Sequence, residues 1–411
     1  MRTHVILNVN FSFLGRDLKM KLELNTYAKY LRAPSIRQFS SRINQLDDVI
    51  NLTVGQPDFN MPDIVKKAYQ TAIENNQTTY SHNKGRLDTR EAVSQYYQTR
   101  FNIHYDPEEI IITNGASEAL DTVLRCIINP GDEILLPGPV YAGYIPLIQT
   151  LGGTPIFMDT RQSGFKVTPE LIKQHITPKT RAILLNYPSN PTGAILSETE
   201  VTALVDTLKT LSIFIISDEI YAENTFHATH TSFARYESIR DQLLLINGLS
   251  KSHSATGIRI GFLSGPQYLI DRLTFMHAYN CICANVPAQM ATIAALTEAT
   301  DAPQTMNAAY VKRRDFLIKA LTDMGFELEG QPEGAFYIFP NIQNYTDDDF
   351  AFCVDVLETV GVAMVPGSSF TDYGKGYVRI SYAYDMKSLE EGMARLRQYL
   401  HSKYADRLIN S

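Results

Sequence analysis

An amine that directly follows a strand-like apolar run is placed to lose its water. Lys251 ends such a run, Leu243-Leu244-Leu245-Ile246-Asn247-Gly248-Leu249-Ser250-Lys251. Burial disfavours the ammonium form and a neutral amine can attack a carbonyl, so Lys251 is a candidate Schiff-base lysine; the alternative is a strand-end lysine pointing into solvent. Two other groups share its setting. Asp218 lies in Ile215-Ile216-Ser217-Asp218-Glu219-Ile220-Tyr221, and Asn190 in Tyr187-Pro188-Ser189-Asn190-Pro191-Thr192-Gly193. The three follow apolar runs at residues 182–185, 213–216 and 243–246. In an open α/β sheet the C-terminal ends of such strands converge on one crevice.

A carboxylate at Asp218 would be costly to bury unpaired, so it needs a cation, and a protonated pyridine nitrogen would serve; the competing role is a helix cap. Tyr221 can lie on the same side of a helical turn and donate to a ring phenolate, or simply pack. Pro191 and Gly193 stiffen the loop around Asn190, whose amide can reach the same phenolate or serve only the turn. Asn114-Gly115-Ala116-Ser117 joins a strand to a helix, and small residues there admit a phosphate to backbone N–H groups and a hydroxyl, or admit close packing. Ser250 adds a hydroxyl. Arg259 adds a cation that can fork onto phosphate oxygens or form a surface ion pair. Tyr141, in Pro137-Gly138-Pro139-Val140-Tyr141, offers a flat face to an aromatic ring or to the core. In Gly376-Tyr377-Val378-Arg379-Ile380-Ser381-Tyr382, alternation separates Val378 and Ile380 from Arg379, which either clamps a carboxylate or faces solvent.

An amine for an aldehyde, an acid for a ring nitrogen, donors for a phenolate and a cup for a phosphate are together the requirements of pyridoxal 5′-phosphate. No other common cofactor fits them all.

The elements that must position these groups are legible as seven apolar runs, at 110–112, 133–136, 154–158, 182–185, 213–216, 243–246 and 260–263, most of them separated by helix-length segments. That alternation predicts a mostly parallel sheet covered by helices, including helices over 117–128 and 199–211, the second following Leu196-Ser197 as an N-cap signal. After about residue 300 the pattern changes to a helix over 306–324, strands at 335–339, 363–365 and 377–382, and helices over 347–360 and 386–403. This mixture predicts a smaller α+β unit. The expected division is an extension at 1–19, with Met20 a plausible start, an N-terminal segment of the small domain at 20–60, a large domain at 61–300 and the small domain at 301–411.

The 411 residues carry 37 basic and 44 acidic side chains, a net charge of −7, with no basic block, so nucleic acid is not an expected partner. No run approaches the roughly 20 apolar residues that span a bilayer. Cys126, Cys281, Cys283 and Cys353 form no paired framework, and Cys281-Ile282-Cys283 has neither redox nor zinc-ligand spacing. A reducing, cytoplasmic setting without metal is expected.

From about residue 30 to 400 the chain resembles the class I and II, fold type I pyridoxal-phosphate aminotransferases. The matching stretches are Val54-Gly55-Gln56-Pro57-Asp58-Phe59, Thr113-Asn114-Gly115-Ala116-Ser117-Glu118-Ala119, residues 137–141, 186–193, 217–221, 250–259 and 377–381. Residues 247–254 and 365–370 resemble the branch acting on N-acetyl-LL-diaminopimelate in bacterial lysine biosynthesis. The resemblance implies a seven-stranded, mostly parallel large domain with a smaller α+β domain. It implies that Lys251 binds the cofactor aldehyde and moves the substrate Cα proton. Asp218 would then pair with the ring nitrogen, Tyr221 and Asn190 with the phenolate, Tyr141 with the ring face, and Ala116, Ser117, Ser250 and Arg259 with the phosphate. Arg379, Gly55 and Asn190 would bind substrate, and Tyr80 would reach the phosphate of a neighbouring subunit in a homodimer. The implied reaction is ping-pong transfer between an L-amino acid and a 2-oxo acid, with 2-oxoglutarate and glutamate as one pair. An aromatic or aspartate aminotransferase and a carbon–sulfur β-lyase are the alternative activities, and a cofactor-sensing module is the alternative class. Gly248 departs from the serine that many relatives place three residues before the lysine, which implies one hydroxyl fewer at the phosphate. Arg37 and Arg161 are candidates for a distal substrate carboxylate.

Overall fold

The apolar runs between residues 110 and 264 form seven strands of one sheet. The computed structural model describes residues 25–31, 42–43, 46–227 and 229–408, so the expectations for 1–19 and for Arg37 lie outside the described residues. After a short β1 (Ile50–Asn51) come β2 (Ile110–Thr113), β3 (Glu133–Gly138), β4 (Thr154–Asp159), β5 (Thr180–Asn186), β6 (Phe214–Asp218), β7 (Leu243–Gly248) and β8 (Gly261–Ser264). Strands β2 to β8 are ordered β2-β8-β7-β6-β5-β3-β4. Only β8 runs antiparallel, to both β2 and β7.

Central strands are covered on both faces, which is why they read as unbroken Ile/Leu runs. Leu135, Ile183, Leu185, Ile215 and Leu243 enter one core, whereas Ile134, Leu136, Leu184, Ile216 and Leu244 enter the opposite one. Successive side chains of a strand point to opposite faces, so each apolar run supplies both cores at once. The predicted helices start close to their signals. Gly115 is the N-cap of the helix Ala116–Ile127, and Ser197 with Glu200 makes a capping box at Glu198–Leu208.

The C-terminal elements are β9 (Tyr337–Ile338), β10 (Val362–Ala363), β11 (Val365–Pro366) and β12 (Val378–Ser381), with helices Ala302–Thr322, Asp349–Val360 and Met386–Leu408. The strand expected at 363–365 is divided at Met364: β10 pairs in parallel with β1, while β11 joins the antiparallel order β11-β12-β9. The strand expected at 335–339 begins only at Tyr337 because Ala335 takes a left-handed φ of 56°. Leu52 and, from the segment after β6, Ile220 and Tyr221 pack into the same core as Tyr310, Phe336 and Leu389. The segment that follows Asp218 is thereby held against the C-terminal elements.

Candidate active site

The parallel strands β5, β6 and β7 bring their C-terminal ends side by side, with Asn186 opposite Asp218 and Asp218 opposite Ile246. Lys251 stands one turn beyond β7, in the short helix Leu249–Ser252. A cleft of about 360 Å³ opens over these ends. Lys251, Asp218, Tyr221 and Asn190 line it, as do Ala116, Ser117, Tyr141, Ser250, Arg259, Gly55 and Arg379.

Lys251 Nζ donates to the Gly55 carbonyl at 2.6 Å. Burial, reinforced by Arg379 and Arg259 and opposed by Asp218, lowers its pKa to about 8. The amine therefore loses its proton as pH rises through about 8 rather than near the 10.5 of a free lysine. In cofactor-free protein carrying ¹³C-methyl labels on its lysines, the resonance absent from a Lys251→Ala control should titrate with a midpoint near 8; a midpoint at 10 or above would show the site to be wet.

Asp218 is buried, and its carboxylate accepts from Tyr144 Oη at 2.6 Å and from the Ile220 N–H at 3.2 Å. Burial raises its pKa to about 6, against the pull of those two donors. Among the described residues no cation forms an ion pair with it, and it caps no helix, since turns follow β6. Tyr144 stands outside the motifs legible in the sequence. Its spacing of three from Tyr141 was the available signal, and the two rings meet edge to face with centroids 5.3 Å apart.

Tyr221 shares a 2.9 Å hydrogen bond with Tyr337, likewise outside those motifs, which β9 holds next to β12 and so beside Arg379. Arg379 does not face solvent: it is 5% exposed, with its guanidinium 4.5 Å from the Tyr337 ring centroid. Its Nη1 donates to Asn190 Oδ1 at 3.0 Å and its Nη2 to the Thr53 carbonyl at 2.6 Å, while buried Nε has no partner among the described residues. With Oδ1 so engaged, the NH₂ of Asn190 is the end that can donate into the cleft.

Gly115 enters the helix Ala116–Ile127 at φ 86°, and a Cβ there would lie 2.4 Å from Arg259 Nη2. Arg259, itself left-handed at φ 58°, donates to the Thr256 carbonyl at 3.0 Å and lies 3.5 Å from the Asn114 carbonyl. Gly115→Ala should therefore combine backbone strain with displacement of the guanidinium, costing on the order of 1–3 kcal/mol. Urea unfolding would measure it, and an unchanged midpoint would refute the packing argument. Gly248 has a steric cause: a Cβ there would lie 2.7 Å from the Ile260 carbonyl, so the close approach of β7 and β8 excludes a serine.

Two expected residues lie elsewhere. Tyr80 is 77% exposed and does not line the cleft of its own chain. Arg161 is turned onto Asp159 in a bidentate pair at 2.9 and 2.7 Å and is also outside the cleft lining, so a role on a distal substrate carboxylate has no support from its placement.

Residues 47–396 match the family model for aminotransferase class I and II. A protein of Bacillus subtilis (strain 168) named "Probable N-acetyl-LL-diaminopimelate aminotransferase" is 46% identical over 381 residues, covering 92% of this chain and 96% of that one. The solved aromatic aminotransferase from Pyrococcus horikoshii OT3 superposes with a TM-score of 0.84 at 34% identity, over 89% of this chain and 99% of its own. The aspartate aminotransferase from Thermus thermophilus with maleate gives 0.87 at 29% identity, over 92% and 100%. With a family model matched over most of the chain and similarity to aminotransferases along nearly its whole length, the chain belongs to the class I and II aminotransferases of fold type I, and is a transferase enzyme.

Proposed function

We propose that the cleft binds pyridoxal 5′-phosphate and that Lys251 is both its covalent anchor and the mobile base. The observation that carries this reading is one cavity holding an easily deprotonated amine, a buried carboxylate that forms no ion pair among the described residues, and a buried donor at Arg379 Nε that has no partner among them. Such a donor set fits a small molecule with an electrophilic carbon, a ring cation and anionic oxygens. When bound, the cofactor supplies an aldehyde carbon for amines and a protonated pyridine ring that withdraws electrons from the substrate Cα.

Asp218, oriented by Tyr144 and Ile220, holds the proton on the ring nitrogen. Asn190 and Tyr221 donate to the phenolate oxygen, and Tyr141, 44% exposed, covers a ring face. The Ala116 N–H, the hydroxyls of Ser117 and Ser250, and Arg259 hold the phosphate. Arg379 forks onto the substrate α-carboxylate, and Gly55, whose carbonyl already accepts from Lys251, closes over it. Lys251 Nζ would take the substrate Cα proton. Arg379→Lys keeps the charge but loses the fork. It should raise KM for both amino acid and oxo acid and lower kcat/KM by roughly 30-fold or more, the equivalent of about 2 kcal/mol. Steady-state kinetics with both substrates varied would check this, and an unchanged KM would remove Arg379 from the carboxylate site.

As an aminotransferase the enzyme takes an amino acid and a 2-oxo acid. We infer N-acetyl-LL-diaminopimelate as the distinctive amino donor and 2-oxoglutarate with glutamate as the exchange pair, in alternating half-reactions. The 46% identity to the relative of that name supports this over the aspartate and aromatic substrates in the names of the more distant structures. The test is the absorbance change of the cofactor-loaded protein against N-acetyl-LL-diaminopimelate, aspartate, phenylalanine and cystathionine, one at a time. Conversion is expected to be fastest with the first. Faster conversion with aspartate or phenylalanine would overturn the substrate reading, and pyruvate release from cystathionine would favour the lyase.

A homodimer in which Tyr80 serves the neighbouring cleft is part of the same proposal. So is a division into a large domain at 61–300 and a small domain at 20–60 with 301–411, supported by the pairing of β1 with β10. A cytoplasmic location is proposed too; among the described residues no helix is long and apolar enough to cross a membrane.

A further inference from the structure

Outside the cleft, next to the loop Asn114-Gly115-Ala116-Ser117, three side chains of different chemistry converge. Glu118 lies in the first turn of the helix Ala116–Ile127. His277 and Cys281 stand four residues apart in the helix Gln267–Cys281, which packs against it. Spacing of four places both on one face, so one helix presents an imidazole and a thiol together to the carboxylate of the other.

Glu118 Oε1 is 3.0 Å from His277 Nδ1 and 2.8 Å from Cys281 Sγ, and Sγ is 3.6 Å from Nδ1. The His277 side chain is fully buried and that of Glu118 is 9% exposed. Zinc binds such donors tetrahedrally at about 2.0–2.3 Å, which sets neighbouring ligand atoms roughly 3.3–3.7 Å apart. The Cys281–His277 edge already has that length, and the two Glu118 edges, at 3.0 and 2.8 Å, need to open by roughly 0.3–0.7 Å.

We propose that Glu118, His277 and Cys281 form a zinc-binding site, with water in the fourth position. Thiolate and imidazole favour zinc over magnesium or calcium, which prefer all-oxygen sites. The ion replaces the thiol proton, which leaves to solvent as the Zn–S bond forms, and one carboxylate and one thiolate balance the two positive charges. A thiol must lose its proton to bind the ion, so proton and metal compete for Cys281 Sγ.

The site also has a reach. Glu118 Oε2 accepts from the Asn114 N–H at 2.5 Å and from its side-chain amide at 3.0 Å. An ion on Oε1 therefore ties the turn that presents Ala116 and Ser117 to the helix Gln267–Cys281. The Cys281-Ile282-Cys283 pair drew attention in the sequence without having zinc spacing. The pattern that counts is His277 with Cys281, completed by a residue far away in the chain.

The test uses tag-free, cofactor-loaded protein, stripped of metal with a chelator, incubated with Zn²⁺ and desalted. Metal content by mass spectrometry and the thermal midpoint are then read. About one zinc per chain and a raised midpoint are expected, because an ion that binds only the folded state stabilises it. Cys281→Ser and His277→Gln should each weaken binding by at least about tenfold while keeping the wild-type circular dichroism spectrum. X-ray absorption should show a sulfur ligand at about 2.3 Å. Zinc well below stoichiometric in the wild type would overturn the proposal and leave a hydrogen-bonded thiol–carboxylate cluster. Equal binding by Cys281→Ser would overturn it as well, by placing the ion elsewhere. Should either variant fold poorly, the sulfur signal in the wild type decides alone.

Discussion

Lys251→Ala should lower kcat by at least about 10³-fold, because one side chain serves as both nucleophile and proton carrier. A positioned general base alone contributes roughly 10²–10⁴-fold. The amine hydrogen-bonds the Gly55 carbonyl and sits 5.8 Å from the Tyr221 ring centroid, so its removal leaves no second basic nitrogen in place. Arg259 and Arg379, the other cationic side chains lining the cleft, carry delocalised guanidinium groups in place of an amine and cannot substitute. Small external amines should restore part of the rate by entering the vacated space, and rescue should follow their basicity and size. A variant that retains a sizeable part of the wild-type rate, or equal rescue of wild type and variant, would remove Lys251 from this role.

Asp218→Asn is expected to lower kcat/KM by about 10²–10³-fold, the usual loss when a preorganised electrostatic partner is removed. The substitution nearly preserves shape, and the Tyr144 hydroxyl can turn to accept from the new amide. What disappears is the negative charge that would hold a proton on a ring nitrogen. Stability without cofactor should move the other way. Because burial raises the Asp218 pKa from 3.8 to about 6, the folded state binds more protons than the unfolded one between those values. Its contribution is thus complete below pH 3.8 and is lost as pH rises through 6. Above that, cofactor-free wild type carries the cost of a buried anion, on the order of 3 kcal/mol. At pH 7 the cofactor-free variant should therefore be the more stable protein by urea unfolding, and the gap should shrink toward pH 4. Lower activity with lower stability at pH 7 would mean a structural defect instead.

Much of the large sheet could be read in advance because its central strands are buried on both faces, and a strand that must supply two cores is apolar along most of its length. Helix starts were legible where a side chain caps a backbone N–H, as Ser197 does. The split at Met364 was not, since three apolar residues look the same whether they join one neighbour or two.

The amino-acid order by itself determined which chemical groups follow the strands, since Lys251, Asp218 and Asn190 stand in local contexts that need no knowledge of the fold. Tertiary structure alone decided how those groups are partnered. That Tyr144 lies on Asp218, Tyr337 on Tyr221 and Thr53 on Arg379 depends on contacts between segments remote in the chain, and local propensity carries no information about them. The same holds for Arg161, whose charge was visible but whose capture by Asp159 was not, and for Glu118, which meets His277 and Cys281 only because two helices cross beside the cleft.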